Sequence, residues 1–359
     1  MSLDALRGFD MLFIMGFASF VVAVCGLWPS AVTDAAAASM SHVAWDGFAH
    51  HDTIFPLFLF IAGVSFPYSV AKQRAGGMSE GRIYAKIVRR GLTLVVLGMV
   101  YNGLFKLDFE NLRIASVLGR IGLAWSIAAV LYLNFGVKTR AAIAVAVLAG
   151  YGALSALVAA PDAAGAGPLT FEGNLAGYID RQFLPGKLIY GSFDPEGLLS
   201  TVPAVVTAML GMFTGEFVRR GDIRGGRKTL WMAAAAAALL AAGLAFSGVL
   251  PVNKKLWSST FVCVVGAYSL GMFALFYYLI DVRGWRRWTL FFRVVGLNSI
   301  TIYLAQRIVG FGRISDFFLG GIASKCPEAV AAVISSAGYV AVCWLFLYFL
   351  YRKNVFLKV

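Results

Sequence analysis

Long apolar stretches, repeated along the whole chain, limit this sequence to few folds. A membrane-spanning helix needs roughly 20 consecutive, mostly apolar residues. Ten runs come close to that length, at about 9–28, 53–70, 88–105, 114–134, 141–160, 198–217, 230–248, 260–280, 290–310 and 329–350. Backbone groups in lipid must be paired within their own segment, so such runs become helices. The sequence therefore predicts an all-α polytopic membrane protein, a single domain over residues 1–359 with about ten transmembrane helices.

The distribution of basic residues orients these predicted helices. The chain has 31 Lys and Arg residues and a formal net charge of +13, although only 14% of its residues are charged. If the N-terminus is inside, 21 of the 31 fall on the inner side, 8 on the outer side, and Arg120 and Arg307 lie within spans. Cytoplasmic loops are enriched in Lys and Arg. We therefore predict cytoplasmic termini, membrane lipid as the surroundings and no nucleic-acid partner.

All three histidines lie in one segment, between the first two predicted spans. His42, His50 and His51 share the stretch 42–56 with Asp46 and Asp52. Histidine changes its charge near neutral pH and serves as a general base, and a neighbouring carboxylate can fix its tautomer. A polar loop between two helices would also explain these residues. Their spacing does not resemble a metal site, where ligands must converge, so we expect no metal.

Polar side chains inside predicted spans mark further candidate positions, because charges there are costly and usually functional. Arg113 and Arg120 are seven residues apart and share one helix face. Two guanidinium groups in this arrangement suit a phosphate-bearing ligand or a pair of acidic partners. Gln306 and Arg307, near Asn298 and Ser299, make the ninth predicted span unusually polar. A face of this kind is expected to turn toward other helices or a water-filled cavity.

Several motifs together resemble one family. They are spread over nearly the whole chain, in the order Ser2-Leu3-Asp4-x-x-Arg7-Gly8, His42-x-x-Trp45-x-Gly47, Asp52-x-Ile54-Phe55-Pro56, Arg113-Ile114-(x)5-Arg120, Tyr178-Ile179-Asp180-Arg181, Asp194-Pro195-Glu196-Gly197, Pro251-Val252-Asn253-Lys254-x-Leu256-Trp257-Ser258, Asn298-Ser299 and Tyr351-Arg352-Lys353. This set resembles the transmembrane acetyltransferases related to heparan-α-glucosaminide N-acetyltransferase. The animal enzyme's large lumenal N-terminal region has no counterpart, which indicates a bacterial, catalytic-core-only relative in the inner membrane.

The resemblance implies an amino-sugar N-acetyltransferase that passes an acetyl group from cytoplasmic acetyl-CoA to a glucosamine-type amine on the outer face. The family's catalytic histidine corresponds to His42, with Asp46 or Asp52 orienting it. An asparagine in the animal enzyme's first core helix has Gly16 as its nearest counterpart. We assign the remaining candidates to two groups. Donor binding is predicted for Arg7, Arg113, Arg120, Asn298 and Ser299, and acceptor binding for Trp45, Asp194, Glu196, Asn253 and Lys254.

Several alternatives stay open from the sequence. His42 either takes the amine proton directly or carries the acetyl group as a covalent intermediate. An O-acyltransferase acting on surface polysaccharide would use the same donor with a different acceptor. A proton-coupled transporter of a sugar or lipid precursor would use His42 and Asp52 as a proton relay. The exact acceptor, the preferred acyl chain and the oligomeric state, including a homodimer, are also open.

Overall fold

The computed structural model describes residues 1–357, and α-helices dominate this part of the chain. Their bounds are α1 Ser2–Leu12, α2 Ala18–Cys25, α3 Ala31–Ala38, α4 Ile54–Ala75, α5 Glu80–Tyr101, α6 Val117–Asn134, α7 Val137–Leu157, α8 Leu175–Phe183, α9 Leu198–Arg219, α10 Gly225–Ala245, α11 Ser259–Phe276, α12 Thr289–Leu297, α13 Ser299–Ile308, α14 Phe311–Ala323 and α15 Glu328–Arg352. No β-strand is formed within the described residues. The predicted all-α fold is confirmed.

Eight helical segments of the described chain are long and apolar enough to cross a membrane. They are Ser2–Cys25, His50–Ala75, Val117–Asn134, Val137–Leu157, Leu198–Arg219, Gly225–Ala245, Ser259–Val282 and Glu328–Arg352. Each lies over one of the apolar runs of the sequence, so the protein is a multi-pass membrane protein. The total of ten spans and the side on which the termini lie stay predictions.

Two predicted spans differ from these eight segments. The run at 88–105 lies in α5, which is 22 residues long but begins with the charged stretch from Glu80 to Arg90. The run at 290–310 is not one helix: it is divided at Asn298 into α12 and α13. Asn298 leaves helical geometry, with φ −122° and ψ 30°, and its side chain accepts a hydrogen bond from the Thr301 hydroxyl. Asparagine side chains that bond locally in this way compete with helix continuation.

Contacts between residues divide the described chain into two compact units. Whether these units form the single domain predicted from the sequence stays a prediction. The first unit contains residues 1–44, 49–54 and 275–357 of the described chain. In it, α1 packs on α12, α15 packs on α2, and the short helix α14 lies along α15.

The second unit contains residues 45–48 and the chain from Phe55 to Ala274. Its helix α9 packs against α6 and α7, and α5 packs against α6. The core is built from large apolar side chains such as Trp125, Met209 and Phe261, each at most 4% exposed.

The first membrane-length segment is interrupted by a π-helical turn at Phe13–Phe17. Gly16 lies inside this turn with φ +107°, a conformation that side-chain-bearing residues rarely adopt. A Cβ atom at this position would also approach the Tyr339 ring to 2.7 Å. Glycine is therefore favoured here, where the resemblance places the nearest counterpart of the animal enzyme's asparagine.

Candidate active site

His42 and Asp52 form a hydrogen-bonded pair in the first unit. His42 Nδ1 lies 2.7 Å from Asp52 Oδ1. The histidine side chain is 47% exposed, whereas the carboxylate is 2% exposed. Because a carboxylate accepts hydrogen bonds, the pairing fixes the tautomer with hydrogen on Nδ1 and leaves Nε2 as the basic nitrogen. The arrangement can hold a reactive imidazole at a defined orientation.

The local fold explains why Asp52 is positioned to do this. Asp52 lies in a short 3₁₀-helix, His50–Thr53, which leads directly into α4. Its Oδ2 accepts from the backbone N–H groups of Val43 and Ala49, at 3.4 and 3.3 Å. The buried carboxylate is thus fixed by the same segment that carries His42. Asp46 and Asp52 were both predicted as candidates for orienting His42. Asp52 is the one that pairs with it, whereas Asp46 is an exposed residue in the stretch that belongs to the second unit.

The other two histidines extend the polar cluster within the first unit. The His51 ring centroid lies 4.5 Å from that of His42, and its backbone N–H donates to Ser39 O at 3.0 Å. The His50 ring points elsewhere and lies 4.3 Å from the Phe13 ring. The adjacent histidines therefore face different surroundings.

Trp45 belongs to an aromatic group in the second unit. Its indole N–H donates to Leu169 O at 2.9 Å, and its ring lies 5.3 Å from Phe171 and 5.8 Å from Phe193. The ammonium of Lys255 lies 4.5 Å from the ring of Tyr190, which packs on the same group. Trp45 was predicted as a site residue, but its aromatic neighbours were not, because no local spacing in the sequence links them to it.

Arg113 pairs with Asp194 and Glu196, more than 80 residues away in the chain. Its Nε and Nη2 donate to the two Asp194 oxygens at 2.6 Å each, and Nη2 also donates to Glu196. Burial alone would lower the pKa of Arg113, but the two carboxylates raise it above its ordinary value. The sequence suggested either a phosphate-bearing ligand or a pair of acidic partners for Arg113. In the structure, Arg113 binds two acidic partners.

Asp180 completes this network and was not selected from the sequence as a site residue. Its carboxylate accepts from the backbone N–H groups of Leu198 and Asp194, at 2.9 and 3.2 Å. Burial raises the pKa of Asp180 from 3.8 to about 6. A Cβ atom on Gly197 would lie 2.0 Å from Asp180 Oδ2, so a side chain at this position would displace the carboxylate from its hydrogen bonds. The Asp180 carboxylate therefore fixes the loop 194–197 at the start of α9.

Arg120 lies in α6, which begins at Val117, whereas Arg113 lies before this helix and bridges to Gly186. The predicted shared helix face of the two arginines is therefore wrong. Arg120 is 4% exposed, and its Nη2 donates to the Ser200 hydroxyl and to Gly197 O. Its guanidinium lies over the Trp257 ring, 4.9 Å from the centroid. Within the described residues, its Nε and Nη1 have no hydrogen-bond partner.

The loop 251–258 carries two of the predicted acceptor contacts. Asn253 is fully buried, and its Oδ1 accepts from Leu256 N at 2.9 Å, while its backbone N–H donates to Ser258 Oγ. The Lys254 ammonium lies 5.5 Å from the Phe55 ring centroid. Asn253 therefore shapes the loop, and a sugar contact by either residue stays a prediction.

Three predicted donor contacts lie in the first unit. Asn298 and Ser299 are buried at the division between α12 and α13, where Asn298 Nδ2 donates to Val355 O at 3.2 Å and Ser299 Oγ donates to Gly296 O. Arg7 Nη1 lies 3.5 Å from Asp4 Oδ1. These contacts account for the polar character seen in the sequence, and donor binding by these residues stays a prediction. The described residues contain no group of three or more acidic, histidine or cysteine side chains arranged for a metal ion.

The fold and the His42–Asp52 pair define a multi-pass, all-α membrane protein with a carboxylate-oriented imidazole at one end of a membrane-length helix. This chain belongs to the family described as heparan-alpha-glucosaminide N-acetyltransferase, catalytic, which matches residues 1–252. The resemblance stated from the motifs is confirmed.

Two curated relatives carry the same name. The chain is 27% identical to the heparan-alpha-glucosaminide N-acetyltransferase of Homo sapiens over 375 residues, covering 89% of this chain and 55% of that protein. It is 26% identical to the protein of that name from Mus musculus over 372 residues, covering 89% and 56%. The chain therefore spans about half the length of the curated relatives it matches.

Proposed function

We propose that this protein is an acetyl-CoA-dependent N-acetyltransferase that acetylates the amine of a glucosamine-type sugar at the outer face of the membrane. Family membership supports the reaction class, and the basic residues favour an inner-side supply of the donor. The observation that carries the proposal is the 2.7 Å hydrogen bond between His42 Nδ1 and Asp52 Oδ1, with the imidazole exposed and the carboxylate buried.

In the proposed reaction, His42 acts as general base. The sugar amine attacks the thioester carbonyl while Nε2 of His42 accepts the amine proton, and a tetrahedral oxyanion forms. Its collapse forms the amide and expels coenzyme A thiolate, which regains a proton from the His42 imidazolium. Asp52 stabilises the imidazolium while it exists. General-base catalysis of this kind contributes roughly 10²–10⁴-fold in rate.

A two-step route uses the same pair. Nε2 of His42 would attack the thioester and expel coenzyme A thiolate, giving an Nε2-acetylimidazolium whose charge Asp52 stabilises. The sugar amine would then attack the acetyl carbon, the neutral imidazole would leave as the amide forms, and the amine proton would pass to the thiolate. Both routes need the Nδ1 hydrogen to be held by Asp52, so the geometry supports both equally. A ¹⁴C-acetyl label that stays on wild-type protein without an acceptor, and is absent from a His42→Ala variant, would favour the two-step route.

The donor and acceptor contacts are proposed from the resemblance. We assign the donor phosphates to basic residues on the inner side, with Arg7 among them, because phosphate binding favours Arg and Lys. For the acceptor sugar we retain Trp45, Asp194, Glu196, Asn253 and Lys254. Asp194 and Glu196 already pair with Arg113, so we propose that they act by holding the loop 194–197 in place.

The decisive experiment is His42→Ala in purified, reconstituted protein. We expect the variant to fold, to bind acetyl-CoA in a thermal-shift assay, and to lose acetylation of glucosamine as measured by mass spectrometry of the product. Thr33→Ala, in the same outer stretch and engaged only with Ser30 and Trp28, is the control that keeps activity. Full activity of His42→Ala would remove His42 from the mechanism.

A further inference from the structure

A cavity of about 450 Å³ lies in the second unit, among α5, α6, α7 and α9. Apart from its polar end, its walls are aliphatic. Leu123, Ile127 and Val202 line it and are 42–49% exposed in the protein, so they lie at its rim. All three belong to membrane-length helices. The exposed rim therefore faces the lipid, and the cavity opens sideways to the bilayer.

Arg120 forms the polar end of this cavity. Its side chain lines the cavity and is almost fully buried, and its Nε and Nη1 have no partner within residues 1–357. Buried N–H groups without a partner are rare because losing hydration without a new hydrogen bond is unfavourable. The unpaired donors of Arg120 therefore indicate a ligand with an oxygen acceptor.

The surrounding charges indicate which kind of acceptor fits. Arg113 and Arg120 are matched by Asp194 and Glu196, both of which interact electrostatically with Arg120. Glu196 itself lines the cavity. A further anion would add unmatched negative charge beside this carboxylate. A neutral carbonyl oxygen can accept from Nε or Nη1 without that repulsion.

The depth of Arg120 suits the same chemistry. It is the fourth residue of α6, so it lies about 4.5 Å from the helix start at a rise of 1.5 Å per residue. Positions this close to the end of a spanning helix lie near the boundary between the polar interface and the hydrocarbon. The ester carbonyls of glycerolipids lie at this boundary, with their acyl chains extending inward.

We infer that this cavity is a binding site for one acyl chain of a membrane glycerolipid, whose ester carbonyl accepts a hydrogen bond from Arg120. The aliphatic walls take the chain, and because Asp194 and Glu196 already balance the charges of Arg113 and Arg120, the site selects a neutral oxygen. This role replaces donor binding for Arg120. It does not depend on the proposed acetyl transfer, because it is tested by lipid binding alone.

The test compares ester-linked phosphatidylcholine with its ether-linked analogue, which has the same chains and no carbonyl. Full-length protein is equilibrated with equal amounts of both lipids in mixed micelles, and the lipid that stays bound is measured by native mass spectrometry. A hydrogen bond from a charged donor is expected to favour the ester lipid by roughly tenfold or more. Equal retention of the two lipids would overturn the proposal.

Two variants test the position of the site without touching Arg120. Val202→Trp fills the cavity and should abolish the preference for the ester lipid. Val145→Trp introduces the same side chain on α7 at an exposed position that does not line the cavity, and it should retain the preference. An ester preference that survives in Val202→Trp, or displacement of the bound lipid by acetyl-CoA in the wild type, would contradict the assignment.

Discussion

At the scale of single residues, His42 and Asp52 differ strongly in their exposure to solvent, and this difference bears on the chemistry of the imidazole. The imidazole is open to a reactant, while the carboxylate beside it is almost completely buried and accepts two backbone N–H groups. A buried charge with several donors keeps its position, because moving it would leave those donors unpaired. His42 is therefore held at Nδ1, and Nε2 is the basic nitrogen of its imidazole.

The clustering of the three histidines indicated this region from sequence, but spacing alone did not select the orienting carboxylate. Asp46 and Asp52 are four and ten residues from His42. The more distant one pairs with it because the 3₁₀ turn at His50–Thr53 brings Asp52 back toward the chain at Val43. Such a turn is set by three-dimensional contacts, including that of His51 N–H with Ser39 O, which local sequence does not contain.

Asp52→Asn tests the pairing directly. The substitution keeps the size of the side chain but removes the charge that stabilises the imidazolium, and it places an amide where backbone N–H groups need an acceptor. We expect kcat to fall by about 10²-fold or more, as expected when the orienting carboxylate of a catalytic histidine is neutralised. Steady-state acetylation of glucosamine, with thermal shift to confirm folding, measures the effect.

Two comparison variants make this experiment specific. Asp34→Asn removes an exposed carboxylate from α3, in the same segment before α4, and should leave kcat unchanged. Asp46→Asn makes the same chemical change at the other sequence-derived candidate. A larger loss of kcat in Asp46→Asn than in Asp52→Asn would reverse the assignment of the orienting carboxylate.

At the scale of elements, charged side chains hold the loop 194–197 between α8 and α9 in place. Asp180 on α8 accepts from the first residue of α9 and from the loop, and Arg113 holds the loop from the chain segment before α6. Arg113, Asp194 and Glu196 were each predicted from the sequence as site residues. Their pairing could not be predicted, because Arg113 is 81 and 83 residues away from its two partners and only the fold brings them into contact.

Arg113→Met is expected to destabilise the protein. It leaves the buried Asp194 carboxylate without its bidentate partner, and breaking a buried ion pair by removing one member costs about 3 kcal/mol. The melting temperature in detergent should fall by several degrees. Arg220→Met is the matched control: its pair with Asp222 has the same 2.6 Å separation but is exposed, so little change is expected. If the melting temperature fell equally in the two variants, burial of the Arg113–Asp194 pair would not increase its contribution to stability.

Asp180 predicts a pH dependence of stability. Its pKa is raised by burial from 3.8 to about 6, so the folded protein binds a proton that the unfolded chain does not bind between these values. The folded state is therefore stabilised by Asp180 protonation as the pH falls from 7.5 to 5. As the pH falls from 7.5 to 5, the melting temperature of the wild type should therefore rise relative to that of Asp180→Asn.

Asp162 provides the control for this titration. It lies near the same region, and its hydrogen bond with Arg181 holds the pKa of Asp162 below the ordinary value, so it stays ionised from pH 7.5 to 5. The difference in melting temperature between wild type and Asp162→Asn should stay constant across this range. A wild-type minus Asp180→Asn difference that is equally flat would show that Asp180 does not titrate there.

At the scale of the whole molecule, the apolar runs predicted the fold class because lipid allows few alternatives to a helix. The structure differs from the predicted spans at two places. In α5, charges occupy the first half of a long helix, and at Asn298, local hydrogen bonds divide an apolar run that is long enough to span a membrane. Hydropathy averages over both features. The division into two compact units depends on contacts between distant helices, such as α1 with α12, and no local pattern indicates it.

Orientation is the remaining property that the sequence predicts for the whole molecule. Basic residues are concentrated on one set of loops by 21 to 8. This bias predicts that the His42 loop lies outside and the loop between α4 and α5 inside. Single cysteines at exposed Ser41 and Ser79 test this, in a background where the native Cys25, Cys263, Cys326 and Cys343 are replaced by serine. In intact cells, a membrane-impermeant maleimide should label Ser41→Cys. Ser79→Cys should react only after the membrane is permeabilised.

The same labelling decides on which side the acetyl acceptor must be. Because His42 is next to Ser41 in the chain, labelling of Ser41→Cys from outside puts the proposed base on the outer face, opposite a cytoplasmic supply of acetyl-CoA. Ser324→Cys, after α14 in a loop also predicted to be outside, should react in the same way. If Ser79→Cys is instead labelled in intact cells and Ser41→Cys is protected, donor and base lie on the same side. Transfer across the membrane would then be excluded, while acetylation on the inner face would remain consistent with the His42–Asp52 pair.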